Sequence, residues 1–209
     1  MYILKPETPD LAPAVENLLD NVFGPGRQDK ASYLYRAGVQ PVAELSWTAY
    51  AGDQLVGTIR YWPILVGEAG LQALLLGPLG IDQEFAGRGI GRALTFKTLE
   101  LAAGLGYGLV LLVGDVDYYK RFGFVPATPY GFVMPGEKRP ERLQVAALRE
   151  NVLDPAKPLM AGGEIRHIHS ADTQLLSAAA MVGATMTGAR RARRGHRPAA
   201  NSNRRRIAS

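Results

Sequence analysis

The 209-residue chain contains no cysteine. That absence removes disulfides, thiolate zinc sites and a cysteine nucleophile together, and it leaves the redox compartment open. A long apolar run is also missing. The longest uncharged apolar stretches are Leu71 to Ile81 and Thr173 to Ala189, and both fall short of the ~20 residues a bilayer span requires. Met1 to Asp10 holds Lys5, Pro6 and Glu7 where a secretory signal would have its apolar core. The expectation is a cytoplasmic protein with no membrane partner. Acid is absent from the last 20 residues, which carry eight arginines between Arg190 and Arg206.

What is present divides accordingly. The whole chain has 24 Lys and Arg against 19 Asp and Glu, a net of +5. Setting the eight tail arginines aside leaves 16 basic against 19 acidic groups in residues 1–189, a net of −3. Net charge bears on association with polyanions and not on fold, so the basic character belongs to the tail. Its arginines are not interleaved with aromatics, and any nucleic-acid contact would be non-specific phosphate electrostatics. With 47% apolar and 21% charged residues the body is that of an ordinary globular domain. Its length suits one domain with an extension. The pattern predicts a domain over 1–154, a linker or weakly structured extension over 155–186 and a disordered Arg-rich tail over 187–209.

Thr8 or Asp10 can cap a helix carrying Leu11, Val15, Leu18, Leu19 and Val22, ended by Gly24-Pro25-Gly26. A short helix is expected from about Asp29 to Ala37. Trp47–Ala51 and Leu55–Val66, joined by Gly52-Asp53, read as a hairpin, followed by a strand over Gln72–Ile81. A glycine-rich segment, Gly87 to Gly91, precedes a helix with Ile90, Leu94, Leu101 and Leu105 on one face. Leu109–Val113 is short and wholly apolar, as a strand buried on both faces would be. Asp115–Phe122 reads as a short helix, and Phe124–Val125 and Leu143–Leu148 as later strands. The order indicates an α/β (α+β) fold, a sheet with helices on both faces.

The segment Gly87-Arg88-Gly89-Ile90-Gly91-Arg92 lies between a strand and a helix, where amides at a helix start can bind phosphate. A dinucleotide fingerprint fails in both registers, because Arg92 and Leu94 stand where its last glycine should be. A P-loop fails for want of Gly-Lys followed by Ser or Thr. On spacing alone, a glycine-rich turn without a ligand remains open. Together with Leu79-Gly80-Ile81-Asp82 upstream, however, the segment resembles the acyl-coenzyme A motif of the GNAT superfamily of N-acetyltransferases. Gly89 and Gly91 match that motif's last two small positions, and Ala86 stands in place of its Gln or Arg.

The resemblance implies a mixed, mostly antiparallel central sheet with a splayed parallel strand pair. It implies that the main chain of Gly87, Arg88, Gly89, Ile90, Gly91 and Arg92 holds the pyrophosphate of acetyl-coenzyme A, and that the main chain of Leu79, Gly80 and Ile81 holds the pantetheine arm and orients the acetyl carbonyl. Arg88 and Arg92 add positive charge there, or are solvated helix-start residues. Pro78 cannot donate to a ladder and belongs at an edge or a bulge, which suits a strand that splays.

A second match is Tyr118-Tyr119-Lys120-Arg121-Phe122-Gly123-Phe124. Tyr119 stands four residues before Gly123-Phe124, where the resemblance implies a catalytic tyrosine that protonates the departing thiolate; a phenol of pKa about 10 is roughly matched to that task. Tyr118 reads as a partly buried aromatic. The Glu that many relatives carry on the following strand is absent from Leu109–Val113. Asp115 is the nearest acid, with a helix N-cap as its rival role; Glu44, Glu68 and Asp82 cannot be ranked. His167 and His169 read as surface residues of the linker. The implied reaction is direct transfer of an acetyl group to an amine in a ternary complex, without a metal. The acceptor would be a small amine or a protein or peptide amine, entering beside the first two helices and the loop through Gly38 to Glu44. The alternative is a non-catalytic acyl-coenzyme A sensor of the same fold.

Overall fold

The computed structural model describes residues 1–150, 152–153 and 163–168. Its elements in chain order are β1 (Ile3–Pro6), α1 (Ala12–Phe23), α2 (Ala31–Leu34), β2 (Trp47–Ala51), β3 (Gln54–Val66), β4 (Leu71–Ile81), α3 (Ile90–Gly104), β5 (Leu109–Val113), α4 (Val116–Tyr119), β6 (Val125–Pro126), β7 (Phe132–Val133), β8 (Leu143–Ala147) and β9 (Gly163–Arg166). The sheet runs β1-β2-β3-β4-β5-β8-β6, with β9 pairing to both β3 and β7. It is mostly antiparallel; β4 and β5 are parallel, as the short β7–β9 pair is. This is the mixed sheet with helices that the sequence predicts.

Period-two patterning on the central strands makes two cores. Val110 and Leu112 of β5 join Leu74, Ile90, Leu94 and Ala102 in the layer under α3. Leu109 and Leu111 join Leu75, Ile64, Val145 and Phe132 in the opposite layer. β5 is therefore buried on both faces, as its unbroken apolar run indicates. On α1, Val15, Leu18 and Leu19 form the buried stripe. Gly80 lets that helix approach β4 closely, since a Cβ there would lie 2.8 Å from Leu19 Cδ2.

Several local expectations change. Neither Thr8 nor Asp10 caps α1 with its side chain; a 3-10 turn over Pro9–Leu11 leads into the helix, and prolines there need no acceptor for the missing N–H. On α3 the buried face is Ile90, Leu94, Thr95, Thr98, Leu99 and Ala102, whereas Leu105 lies past the helix end and is exposed. Two threonines can be buried because each hydroxyl bonds the preceding turn: Thr95 Oγ1 to Gly91 O and Thr98 Oγ1 to Leu94 O, both at 2.8 Å. β1 was not anticipated: Lys5 and Pro6 break any apolar alternation, yet both suit an edge strand.

β9 lies inside the segment expected to be a linker and pairs Leu65 with Arg166 and Val66 with Ile165. Ile165 and Ile168 are buried, and the His167 ring approaches Ala37 O. The rest of the expected extension, His169 and the Arg-rich tail lie outside the described residues.

An ion network ties the outer elements together. Arg60 of β3 meets Glu7, just after β1, and Glu16 of α1. Arg27, in the turn after α1, meets Glu16 and Asp20. Both arginine side chains are nearly closed to solvent, at 8% and 3% exposure, so each needs its carboxylates to offset desolvation. Burial tends to raise the Glu16 carboxyl, but hydrogen bonds and charge from Arg27 and Arg60 outweigh it and hold the pKa below the ordinary value of 4.5. A depressed folded-state pKa contributes stability above the unfolded value that is lost as pH falls through the folded one. Urea titrations from about pH 6 down to about pH 3 should therefore show a steep loss of stability in the native chain. Glu16→Gln should be less stable at neutral pH, with a shallower loss on acidification; equal slopes would contradict the assignment.

Candidate active site

The two parallel strands stay together only briefly. β4 and β5 are registered at Leu74–Val110 and Leu75–Leu111 and nowhere beyond. Directly afterwards β4 carries a bulge, with Ile59 opposite Leu79 and Tyr61 opposite Leu76, so that Gly77 and Pro78 share the single partner Arg60. Pro78 thus sits at a bulge, the position its missing N–H predicts. From there Leu79, Gly80 and Ile81 pair with β3 on one side, and β5 does not pair with them on the other. The side chains of Leu79 and Ile81 pack beneath the start of α3, near Gly91, and both residues stay half-buried.

The glycine segment stands beside that gap. Gly87 and Gly89 have φ of +76° and +80°, the left-handed region that favours glycine. Gly89 caps α3 without a side-chain bond. The first hydrogen bond of the helix ladder runs from Ala93 N to Gly89 O at 2.9 Å. Among the described residues the amides of Gly89, Ile90, Gly91 and Arg92 have no backbone acceptor, which leaves a row of donors at a helix N-terminus. Arg88 and Arg92 are exposed; Arg88 bonds Glu84 O at 3.1 Å and lies over Phe85, and Arg92 lies over Phe96.

Tyr119 comes from the other side, at the end of α4. Asp115 caps that helix, accepting from Tyr118 N at 2.7 Å, and so takes the cap role. The Tyr119 ring packs on Gly114, where a Cβ would run into Cε2 and Cδ2, and against Tyr118 and Phe124. Burial pushes its phenol pKa well above the usual value, with Tyr118 and Asp115 adding to the rise and Arg142 opposing it. The Tyr118 hydroxyl approaches Gly91, so the two adjacent tyrosines serve different walls.

A cleft of about 550 Å³ opens at the parting of the strands. Its walls are the end of α1, the turn and short helix through Arg36, β4 at Leu76 to Leu79, Val113 to Asp115, Tyr119, and a loop from Gly136 to Arg142. The loop from Gly38 to Glu44 does not line it: Val42 N is bonded to Tyr61 O, and the Gly136–Arg142 loop takes that place. Asp29, Asp115 and Glu137 are the acids on the cleft, whereas Glu44, Glu68 and Asp82 are not; Asp82 instead accepts from Glu84 N.

Sequence reasoning missed the basic lining. Lys30, Arg36, Lys138, Arg139 and Arg142 all reach the cleft. Burial, then Arg142, Arg36 and Arg139, lower the Lys30 ammonium pKa. Burial brings the Arg36 guanidinium down to about 10 despite its contacts with Tyr33. The available signal was Lys30, Tyr33 and Arg36 at steps of three along one short helical segment, with Lys138-Arg139 ahead of Pro140.

The model for the acetyltransferase (GNAT) family matches residues 12–124, more than half of the chain. The chain belongs to the GNAT family. It is 30% identical to the N-acetyltransferase YhbS of Escherichia coli K12 over 122 residues, which cover 58% of this chain and 72% of that protein. It is 36% identical to mouse N-acetyltransferase 8 over 84 residues, 37% of each. Among solved structures, E. coli YhbS in complex with coenzyme A superposes with a TM-score of 0.66 at 25% identity, covering 80% of this chain and 89% of that one. A GNAT acetyltransferase from Brucella melitensis in complex with acetyl-coenzyme A gives 0.58 at 24%, covering 82% and 97%. The parted parallel pair and Tyr119 share the cleft, whereas no residue of Gly87 to Arg92 lines it; Gly91 instead lies near Leu79, Ile81 and the Tyr118 hydroxyl. Among the described residues no group of three His, Asp or Glu could hold a metal, and no helix is long and apolar enough to cross a membrane.

The tight seat of Tyr119 on Gly114 is open to test. Gly114→Ala should cost about 1–3 kcal/mol by overpacking. In a double-mutant cycle read by urea unfolding, Tyr119→Ala should recover most of that cost; strict additivity would show that the ring does not rest on Gly114.

Proposed function

We propose that this GNAT chain is an acetyl-coenzyme A dependent N-acetyltransferase that transfers the acetyl group directly to a primary amine. The observation that carries the proposal is the parting of β4 and β5 beside a cleft that Tyr119 helps to line. The coenzyme A complex of E. coli YhbS supports the choice of cosubstrate.

The residues present fit that cosubstrate. The amides of Gly89 to Arg92 have no backbone acceptor, and the Gly89 conformation keeps the main chain open to a pyrophosphate. Ala86 provides no charged side chain there, so the hold falls to the main chain. The unpaired flank of Leu79 to Ile81 offers backbone groups to an extended arm, as a neighbouring strand would. When bound, acetyl-coenzyme A supplies an acetyl thioester, a carbonyl already activated towards an amine.

The chain's own part is to position and to move protons. An amide near Ile81 polarises the thioester carbonyl, in the manner of an oxyanion hole. The absence of cysteine directs the amine to the thioester itself. Tyr119 Oη holds the proton that the thiolate requires, and burial keeps that phenol in its protonated form. Asp115 is held as the α4 cap, so the acceptor ammonium gives up its proton to solvent water in the cleft. We place this activity in residues 1–154, in the cytoplasm, with 187–209 outside it.

Tyr119→Phe should lower turnover of an amine acceptor by about 10²–10⁴-fold while the coenzyme A dissociation constant, measured by calorimetry, stays within about twofold. Unchanged turnover would remove Tyr119 from this role. Failure of the native chain to bind coenzyme A would overturn the proposal as a whole.

A further inference from the structure

Of the three arginines packed around α1 and the β4 bulge, Arg27, Arg36 and Arg60, only two are matched by carboxylates. Arg27 and Arg60 share Glu7, Glu16 and Asp20. Arg36 makes no ion pair among the described residues, and its Nε and Nη1, both closed to solvent, have no hydrogen-bond partner. Its guanidinium carbon lies 4.1 Å from the Tyr33 ring centroid and 5.9 Å from that of Trp62. Trp62 is fixed by Nε1 donating to Gly77 O at 2.8 Å. A Cβ on Gly77 would stand 3.2 Å from Arg36 Nη2, so the group lies against the β4 bulge, at the point where the strands part.

A buried donor without an acceptor is costly, and a buried charge more so. Two aromatic faces recover part of that through cation–π attraction, but they cannot accept the N–H groups at the guanidinium edge. Of the three acids on the cleft, Asp29 makes no ion pair with Arg36 among the described residues, and the other two are engaged elsewhere. Asp115 caps α4, and Glu137 accepts from Arg139 N at 2.9 Å. The cleft holds five cationic side chains, Lys30, Arg36, Lys138, Arg139 and Arg142, against three acids, Asp29, Asp115 and Glu137. The unpartnered Nε and Nη1 of a planar guanidinium suit a planar carboxylate. A volume of about 550 Å³ is within the range of small-molecule sites.

We infer that the acceptor of this transferase is a small amine that also carries a carboxylate, and that Arg36 binds that carboxylate. The inference rests on the acetyltransferase reading and adds a substrate class to it. A carboxylate on Arg36 satisfies the orphaned donors with charge-assisted hydrogen bonds, and it anchors the acceptor beside the bulge, so that its amine is presented to the gap above Tyr119. Lys30, Arg139 and Arg142 contribute the surrounding positive potential.

The test uses the full chain loaded with coenzyme A and a panel of amino acids, each paired with its own carboxamide. Calorimetry reads binding, and acetylation of the same pairs in acetyl-coenzyme A reads turnover. The native chain should bind at least one carboxylate about tenfold or more tightly than its carboxamide. Arg36→Gln should abolish that preference, and Arg36→Lys, which keeps the charge and loses the planar fork, should retain only part of it. Both variants should hold coenzyme A as the native chain does.

Arg36→Met, which keeps an apolar stem and removes the unmatched charge, should raise the melting temperature by about 2–4 °C. A purely structural arginine would lower it instead. The inference is overturned if carboxylate and carboxamide bind alike, if no carboxylate binds, if Arg36→Gln leaves the preference intact, or if only long peptides are acetylated. Loss of coenzyme A binding in the native chain would strike the acetyltransferase reading, which is a different result.

Discussion

The parting of β4 from β5 is the constraint on which the rest of the molecule is arranged. Two parallel strands that pair at only two positions leave unpaired backbone beyond them, and buried backbone groups do not stay unpaired in a stable fold unless something else satisfies them. The bulge at Gly77 and Pro78 turns β4 away without breaking its pairing with β3. The cores on either face lock both strands up to that point: Leu74, Val110 and Leu112 below α3, and Leu75, Leu109 and Leu111 on the other side. The opening is therefore held by the best-packed part of the protein, where a ligand can be gripped without a large ordering cost.

The opening is also where the chain places its electrostatic features, and it does so in two ways. At the glycine segment the attraction for an anion comes from oriented amides, which a charge count does not register. At Arg36 it comes from one formal charge enclosed by Tyr33, Trp62 and the β4 bulge. The arginines around α1 make the contrast plain. Arg27 and Arg60 are buried and matched by carboxylates, and they fasten α1 and β1 to the sheet. The same residue type serves the fold where a carboxylate is built in, and awaits a ligand where none is.

Much of this was legible in the sequence because it depends on local pattern. The run Leu109–Val113, the Gly52-Asp53 hairpin and the place of Tyr119 relative to Gly123-Phe124 are read from a few consecutive residues. Pro78 indicated an edge or a bulge through its missing N–H, and the structure has the bulge. The less legible features arise from tertiary placement. Thr95 and Thr98 are core residues whose hydroxyls are satisfied by their own helix, so polarity misdirects the reading of α3. β1 and β9 owe their existence to edges offered by β2, β3 and β7, and a four-residue strand such as Ile3–Pro6 carries too little pattern of its own. The basic cleft draws Lys30 and Arg36 from one segment and Arg139 and Arg142 from another, more than a hundred positions later. No local spacing connects them.

This division bears on how far family membership reaches. On the proposed reading, the features expected from the GNAT resemblance are those that would hold a common cosubstrate: main-chain donors, a gap in a sheet and a phenol. They can be recognised in one sequence because the cosubstrate fixes their spacing. Acceptor recognition has no common partner to fix it, and the cleft proposed for it is lined by segments that the family model, ending at residue 124, covers only in part. The loop from Gly136 to Arg142 lies wholly beyond it. Substrate choice in this chain therefore has to be argued from the unmatched charge in the cleft, because a shared fold supplies chemistry without supplying specificity.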